Sequence, residues 1–135
     1  MDLEKCILES QDLSGASLRS ANLRGALVSS GSFQSACLVG ADLRNLIAEN
    51  TNFDSADFGG AYATGANFRG ASLKEANLAA ADVWGATFES ADLSGANMDC
   101  HRLPDANLRG AHFDLRTKWP EGFDPIKAGA RLESR

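Results

Sequence analysis

Ala66-Asn67-Phe68-Arg69-Gly70-Ala71-Ser72-Leu73-Lys74-Glu75-Ala76-Asn77-Leu78-Ala79-Ala80 states one pattern three times over: alanine, a small polar residue, a large apolar residue, then two of varied type. Stepping outward by fives, the large apolar place runs from Leu3 to Phe113. It is filled by Leu, Val, Phe or Met at 21 of 23 positions, with Ala48 and Ala63 the exceptions. Alanine recurs two places earlier, from Ala16, Ala21 and Ala26 to Ala106 and Ala111. Self-similarity at a fixed period marks a stacked repeat architecture and takes precedence over local propensity.

A five-residue period excludes the common elements. On an α-helix each step of five turns the side chain by about 500°, so the leucines drift roughly 140° per repeat and form no stripe. On a flat strand an odd period sends every second leucine to the opposite face. The chain must therefore turn once per quintet, with the alanine and the central residue pointing inward. The fifth place carries 9 of the 13 glycines, which suits a corner that requires positive φ, as in a type II turn. Four right-angled corners close a coil in twenty residues, and parallel stacking gives a rod on the order of 27 Å long.

Composition agrees with a narrow interior: 44% of the 135 residues are apolar but only 7% are aromatic. A net charge of −5 argues against direct nucleic-acid binding, which needs clustered basic side chains. The opening Met1-Asp2-Leu3-Glu4-Lys5 lacks a leader pattern and no apolar run is long enough to span a membrane, so a cytoplasmic location without membrane attachment is expected. Cys6, Cys37 and Cys100 are odd in number and show no metal-binding spacing, so three free thiols are expected.

Quintets such as Ala21-Asn22-Leu23-Arg24-Gly25, Ala66-Asn67-Phe68-Arg69-Gly70 and Ala91-Asp92-Leu93-Ser94-Gly95 resemble the A-(D/N)-(L/F)-x-x unit of the pentapeptide-repeat proteins. The resemblance implies an all-β fold, the right-handed quadrilateral parallel β-helix. The run Trp119-Pro120-Glu121-Gly122-Phe123-Asp124-Pro125 is similar to the tail of cyanobacterial members, which points to a cyanobacterial source. The expected organisation is a β-solenoid over residues 1–115 and a C-terminal cap over residues 116–135. Trp119 and Phe123 serve as the plugs, and a short capping helix over residues 126–132 follows Asp124 as N-cap and Pro125 as first helical residue.

The twenty-residue period also sorts the surface. One wall carries Asp12, Asp54, Glu75, Asp92 and Asp114 against Lys74 alone. Some members of the family are acidic rods that resemble DNA and bind DNA gyrase, so a DNA-mimicking gyrase regulator is the alternative function. The solenoid carries only about −7, whereas about sixteen charges sit on a comparable length of duplex. Glu49, Arg69, Glu89 and Arg109 should form a charge ladder, and Leu46 either fills part of the gap beside Ala48 or marks a local distortion of the coil. His101 stands where alanine is usual, and a displaced corner is the expected explanation.

No catalytic, cofactor-binding or metal site is expected. Aspartates such as Asp42, Asp57, Asp82 and Asp92 are assigned instead to corner amides. The leading function is a non-catalytic scaffold or regulatory protein-binding module, its protein partner unidentified, the chain itself a monomer or weak homodimer. Candidate partner contacts are the apolar column Ile7, Leu27 and Ile47 and the outward aromatics Tyr62 and Trp84.

Overall fold

The computed structural model describes residues 1–133. Parallel bridges join residues twenty apart in four columns, such as Asp2, Asn22, Asp42, Tyr62 and Asp82 on one wall and Ile7, Leu27, Ile47, Asn67, Thr87 and Asn107 on the next. The chain is a four-sided coil of extended segments, each too short to count as a strand on its own. Only His112–Phe113 and Arg131–Leu132 pair over two consecutive residues, in parallel.

Each corner is closed by main-chain chemistry. The Cys6 N–H donates to the Leu3 carbonyl (3.0 Å) and the Ala26 N–H to the Leu23 carbonyl (3.0 Å), and the same bond recurs at almost every quintet. Through the regular coils the residue before the inward alanine place has φ between about 55° and 71°, as the second corner residue of a type II turn requires; the pattern lapses at Cys100 and Asp105. Gly70 shows why that place favours glycine: a Cβ there would lie 2.3 Å from Asn50 Oδ1. The small polar residue before each centre caps the same corner. Asp57 Oδ1 accepts from the Gly59 N–H (2.9 Å), Asp92 Oδ1 from the Ser94 N–H (3.0 Å) and Asn67 Oδ1 from the Arg69 N–H (3.0 Å). The Asp/Asn preference is thus a local turn device.

The interior is one continuous apolar column. Phe33, Phe53, Phe58, Phe68 and Phe88 are all fully buried. Phe33 stacks on Phe53 (5.2 Å between centroids) and Phe68 on Phe88 (5.2 Å), while Phe53 and Phe58 meet edge to face (5.1 Å). Leu46, 2% exposed, is accommodated without disturbing the ladder, since Ala48 N–H still reaches the Asn67 carbonyl at 2.8 Å, which leaves no local distortion there. Leu46 is therefore a size compensation.

The capping helix does not form. Residues 125–129 make a single turn, with Asp124 Oδ1 accepting from the Ile126 and Lys127 N–H groups as an N-cap should. Gly129, at φ 98°, then redirects the chain. Arg131 N–H is taken by the Ala111 carbonyl and Glu133 N–H by the Phe113 carbonyl, both at 2.7 Å. The open edge of the last coil competes for the same donors a helix would use, and it wins. Trp119 packs edge to face on Phe113 (5.3 Å) and stacks on Phe123 (5.5 Å), so both aromatics lie over the end of the core. The ladder itself continues into this stretch, because Lys118 bridges Asn97.

Candidate binding surface

The regular repeat breaks at Cys100, and the break builds the most chemically distinctive part of the surface. Asp82 bridges His101, nineteen residues on, whereas Thr87 bridges Asn107 at the usual twenty. Cys100 N–H donates to the Met98 carbonyl (2.8 Å), a corner one residue tighter than its neighbours. Cys100 thereby enters the inward alanine place, and burial pushes its thiol up to about 12, so it stays protonated. His101 moves to the outside and is exposed, so its place in the alanine count reflects a displaced corner, as expected. The spare length goes into the wall: Arg102 adopts the left-handed conformation and Leu103–Asp105 form a 3₁₀ turn that buries Leu103.

That bulge gathers polar and aromatic groups. The Arg102 guanidinium pairs with both carboxylate oxygens of Asp82, the Nε bond at 3.0 Å, and its carbon lies 5.9 Å above the Trp84 ring. The Trp84 N–H in turn donates to Asp82 Oδ1 (3.1 Å). The Arg102 hydrogen bond, with help from Trp84, holds Asp82 below the ordinary carboxylate range. Tyr62 lies in the same column between Asp42 and Asp82 and is 57% exposed, and Trp84 is 51% exposed. Among the described residues no ring contact joins the two aromatics; the partner of Trp84 is Arg102. Beside Arg102 opens a groove of about 560 Å³ lined by Leu103, Pro104, Phe123, Asp124 and Lys127 among others.

The remaining candidates lie elsewhere. Ile7, Leu27 and Ile47 do form one column, with Ile7 76% and Ile47 41% exposed, but on the adjacent wall. The charge ladder closes at one rung, Arg69 Nε to Glu89 Oε1 at 3.2 Å. The acidic wall is partly neutralised from the tail, because Arg116 pairs with Glu75 and Asp114. His101 and His112 stand on different walls. No group of three or more His, Cys, Asp or Glu able to hold a metal occurs among the described residues, and no helix there is long and apolar enough to cross a membrane. Sequence reasoning missed Arg102 and the groove. The missing glycine or serine at position 100 and Pro104 two residues after Arg102 were the signals that could have marked them.

The family model for pentapeptide repeats matches in eight copies, over residues 1–29, 36–74 and 71–110. Among solved structures, the pentapeptide repeat protein alr5209 from Nostoc PCC 7120 is 37% identical, with a TM-score of 0.73, over 76% of this chain and 84% of that one. HetL, a pentapeptide repeat protein involved in heterocyst differentiation regulation in Nostoc sp. strain PCC 7120, is 28% identical with a TM-score of 0.45. That match covers 87% of this chain and 55% of HetL. QnrB1, a plasmid-mediated fluoroquinolone resistance protein, is 22% identical with a TM-score of 0.35 over 98% of this chain and 83% of that one. No curated protein matches the sequence at a significant level.

Proposed function

The chain belongs to the pentapeptide-repeat family, and on that premise we propose that it is a non-catalytic protein-binding module, a rigid scaffold or regulator, whose recognition surface is the wall bearing Tyr62, Trp84 and Arg102. The observation that carries this reading is the Arg102 bulge. At the one wall where the ladder slips below its usual spacing, the chain exposes two large aromatics, stacks an arginine on one of them, and opens an adjoining groove. Aromatic and arginine side chains dominate the energetics of protein interfaces, and local departures from an otherwise consistent pattern concentrate at functional sites. Rigidity supports the same role, since a surface held by an unbroken ladder loses little conformational entropy on binding. A DNA mimic would instead need the acidic wall left free, and Arg116 covers part of it.

Affinity capture from native extract, using the wild-type rod and a Tyr62→Ala/Trp84→Ala variant side by side, tests the proposal. The variant should keep its fold, because both side chains are outward, and should lose one or more proteins that the wild type retains. An identical captured set from both would overturn it.

A further inference from the structure

The wall that carries Tyr62, Trp84 and Arg102 is one-sided in its hydrogen-bonding chemistry. Its main-chain acceptors are occupied, because the carbonyls of Tyr62, Thr64, Asp82 and Trp84 receive the N–H groups of Leu43, Asn45, Ala63 and Gly65 at 2.6, 3.0, 2.8 and 2.9 Å. Its carboxylates are engaged as well. Asp42 accepts from the Arg44 main-chain N–H (3.2 Å) and from Arg44 Nε (2.9 Å) and Nη2 (2.7 Å). Asp82 accepts in the same way from the Trp84 main-chain N–H and from Arg102 Nε and Nη2. Each carboxylate thus has three of its roughly four acceptor sites filled and its charge balanced by a guanidinium. Donors remain in excess. Among the described residues, the Trp84 indole N–H, the Tyr62 hydroxyl and the Nη1 groups of Arg44 and Arg102 have no hydrogen-bond partner.

We propose that this wall binds a proline-rich segment of another protein in the polyproline II conformation, an inference that rests on the wall being the recognition surface. Proline has no N–H, and a polyproline II chain keeps its carbonyls open to solvent, so such a ligand brings acceptors and needs none in return. An ordinary extended segment brings an N–H at every residue and would find little here to receive it. An acidic segment also brings acceptors, but Arg44 and Arg102 are already balanced by Asp42 and Asp82, and the chain as a whole carries −5. Charge therefore gives an acidic ligand no advantage. Tyr62 and Trp84, both more than half exposed, supply the aromatic surface on which proline rings pack in this mode of recognition.

The spacing agrees. Tyr62, Asp82 and His101 stand on three successive rungs of one column, so the groove beside Arg102 lies two rungs from Tyr62, about 9.6 Å along the rod. Polyproline II repeats every three residues, in about 9.3 Å. A ligand lying along the rod can therefore set one residue against the two aromatics and the residue three places on into the groove, whose apolar lining includes Leu103, Pro104, Pro120 and Phe123. Arg102 stands between the two contacts, over the Trp84 ring and lining the groove, with its Nη1 open to a ligand carbonyl. Rod and ligand are both stiff before they meet, which limits the ordering cost of binding.

Fluorescence anisotropy of a labelled polyproline peptide about nine residues long, three turns, titrated with the full chain tests the inference. Gly-Ser and Glu-rich peptides of the same length serve as controls. The polyproline peptide should bind saturably with Kd between about 10 μM and 1 mM, at least about tenfold tighter than either control. Tyr62→Ala and Trp84→Ala should each weaken it at least about fivefold with circular dichroism unchanged. A readout on the wild type covers the case in which a variant does not fold: of the two tryptophans, the Trp84 indole N–H resonance should shift on titration and that of Trp119 should stay. No binding at millimolar peptide, a control that binds as tightly, or an unmoved Trp84 indole would overturn the inference. If polyproline fails while Tyr62→Ala/Trp84→Ala still loses a captured protein, the wall remains the recognition surface and only its ligand class is wrong.

Discussion

The two ends of the rod seal their apolar interior to different degrees, although both are built from the same quintet. At the C-terminal end Leu93, Met98, Leu103 and Leu108 are at most 1% exposed, under two stacked aromatics and a returning strand. At the N-terminal end Leu3, Leu8 and Leu13 occupy the same columns and are only partly buried. A solenoid repeat buries its core only against a neighbour, so the closing contact must come from something other than the repeat. At one end the chain supplies it by leaving the pattern after Asp114.

Removing that contact is the most damaging change. Deleting residues 116–135 should expose Phe113, Leu108 and the last coil's unpaired edge. Size-exclusion chromatography with light scattering should then find large assemblies or loss of soluble protein. A truncated chain that behaves as the wild type does would show that the two ends are not energetically different.

The second largest effect compares one column at its two extremities. Leu8 and Leu108 both sit at the centre of a quintet on the same wall, five coils apart. Leu108→Ala should cost about 2–4 kcal/mol, as for a sealed core leucine, and Leu8→Ala about 1 kcal/mol, because its side chain is already partly in water. Chemical denaturation of the two variants measures the difference. Equal losses would mean that Leu8 is covered in solution as fully as Leu108.

These contrasts also mark what was legible in the sequence. The leucine column, the alanine column and the positive-φ corners each depend on a residue's own type and on a strict period, so Leu23, Ala66 or Gly95 announces its place. The aspartates were legible for a similar reason, since Asp92 bonds two residues along its own chain. The slip at Cys100 was legible only as a displaced corner at His101, because a corner shortened by one residue and a wall lengthened by one leave Leu103 twenty residues from Val83 and hide the bulge itself from a five-residue count. The missing helix has another cause. Asp124, Pro125 and the following residues have sound local credentials for a helix, but the competing partners of Arg131 and Glu133 lie about twenty residues away in sequence.

A smaller test concerns how the closing quintet is held. Thr117 occupies the inward alanine place and is 8% exposed; its hydroxyl donates to the Leu93 carbonyl (2.9 Å) and accepts from the Asp114 N–H (3.2 Å). Thr51 sits likewise in mid-rod and donates to the Val28 carbonyl (3.1 Å). Thr117→Val keeps the shape and leaves the Asp114 N–H without its partner, while the Leu93 carbonyl still accepts from the Ala96 N–H (3.0 Å), at about 1–2 kcal/mol. Thr51→Val strands no partner, since the Val28 carbonyl keeps the Gly31 N–H (3.1 Å), and should cost at most about 1 kcal/mol. Urea midpoints at matched slope separate the two, and a reversed order would show that the closing turn is held by its aromatics alone.

The smallest expected effect again separates the ends, through acid. Arg102 reaches back a full coil to Asp82, while Asp12 in the first coil draws its hydrogen bonds from Ser14 within its own corner. Both carboxylates titrate below the ordinary range, Asp82 because of Arg102 first and Asp12 because of the Ser14 hydroxyl first. A carboxylate whose folded pKa is depressed adds stability above its unfolded pKa, near 3.9, and that contribution is lost as pH falls through the lower folded value. Both pairs should therefore weaken only on the acid side of about pH 4. Only the Arg102 pair ties one coil to another and holds the bulge against Trp84, so only its loss should loosen tertiary contacts. Arg102→Gln should lower the melting temperature slightly at neutral pH, with the gap to wild type closing as pH drops toward 2, and Trp84 fluorescence should shift with the same profile. Ser14→Ala should leave that fluorescence unmoved at every pH. If instead the Arg102→Gln gap stays constant down to the lowest pH, the stacking of Arg102 on Trp84 supplies the stabilisation and the ion pair with Asp82 adds nothing to it.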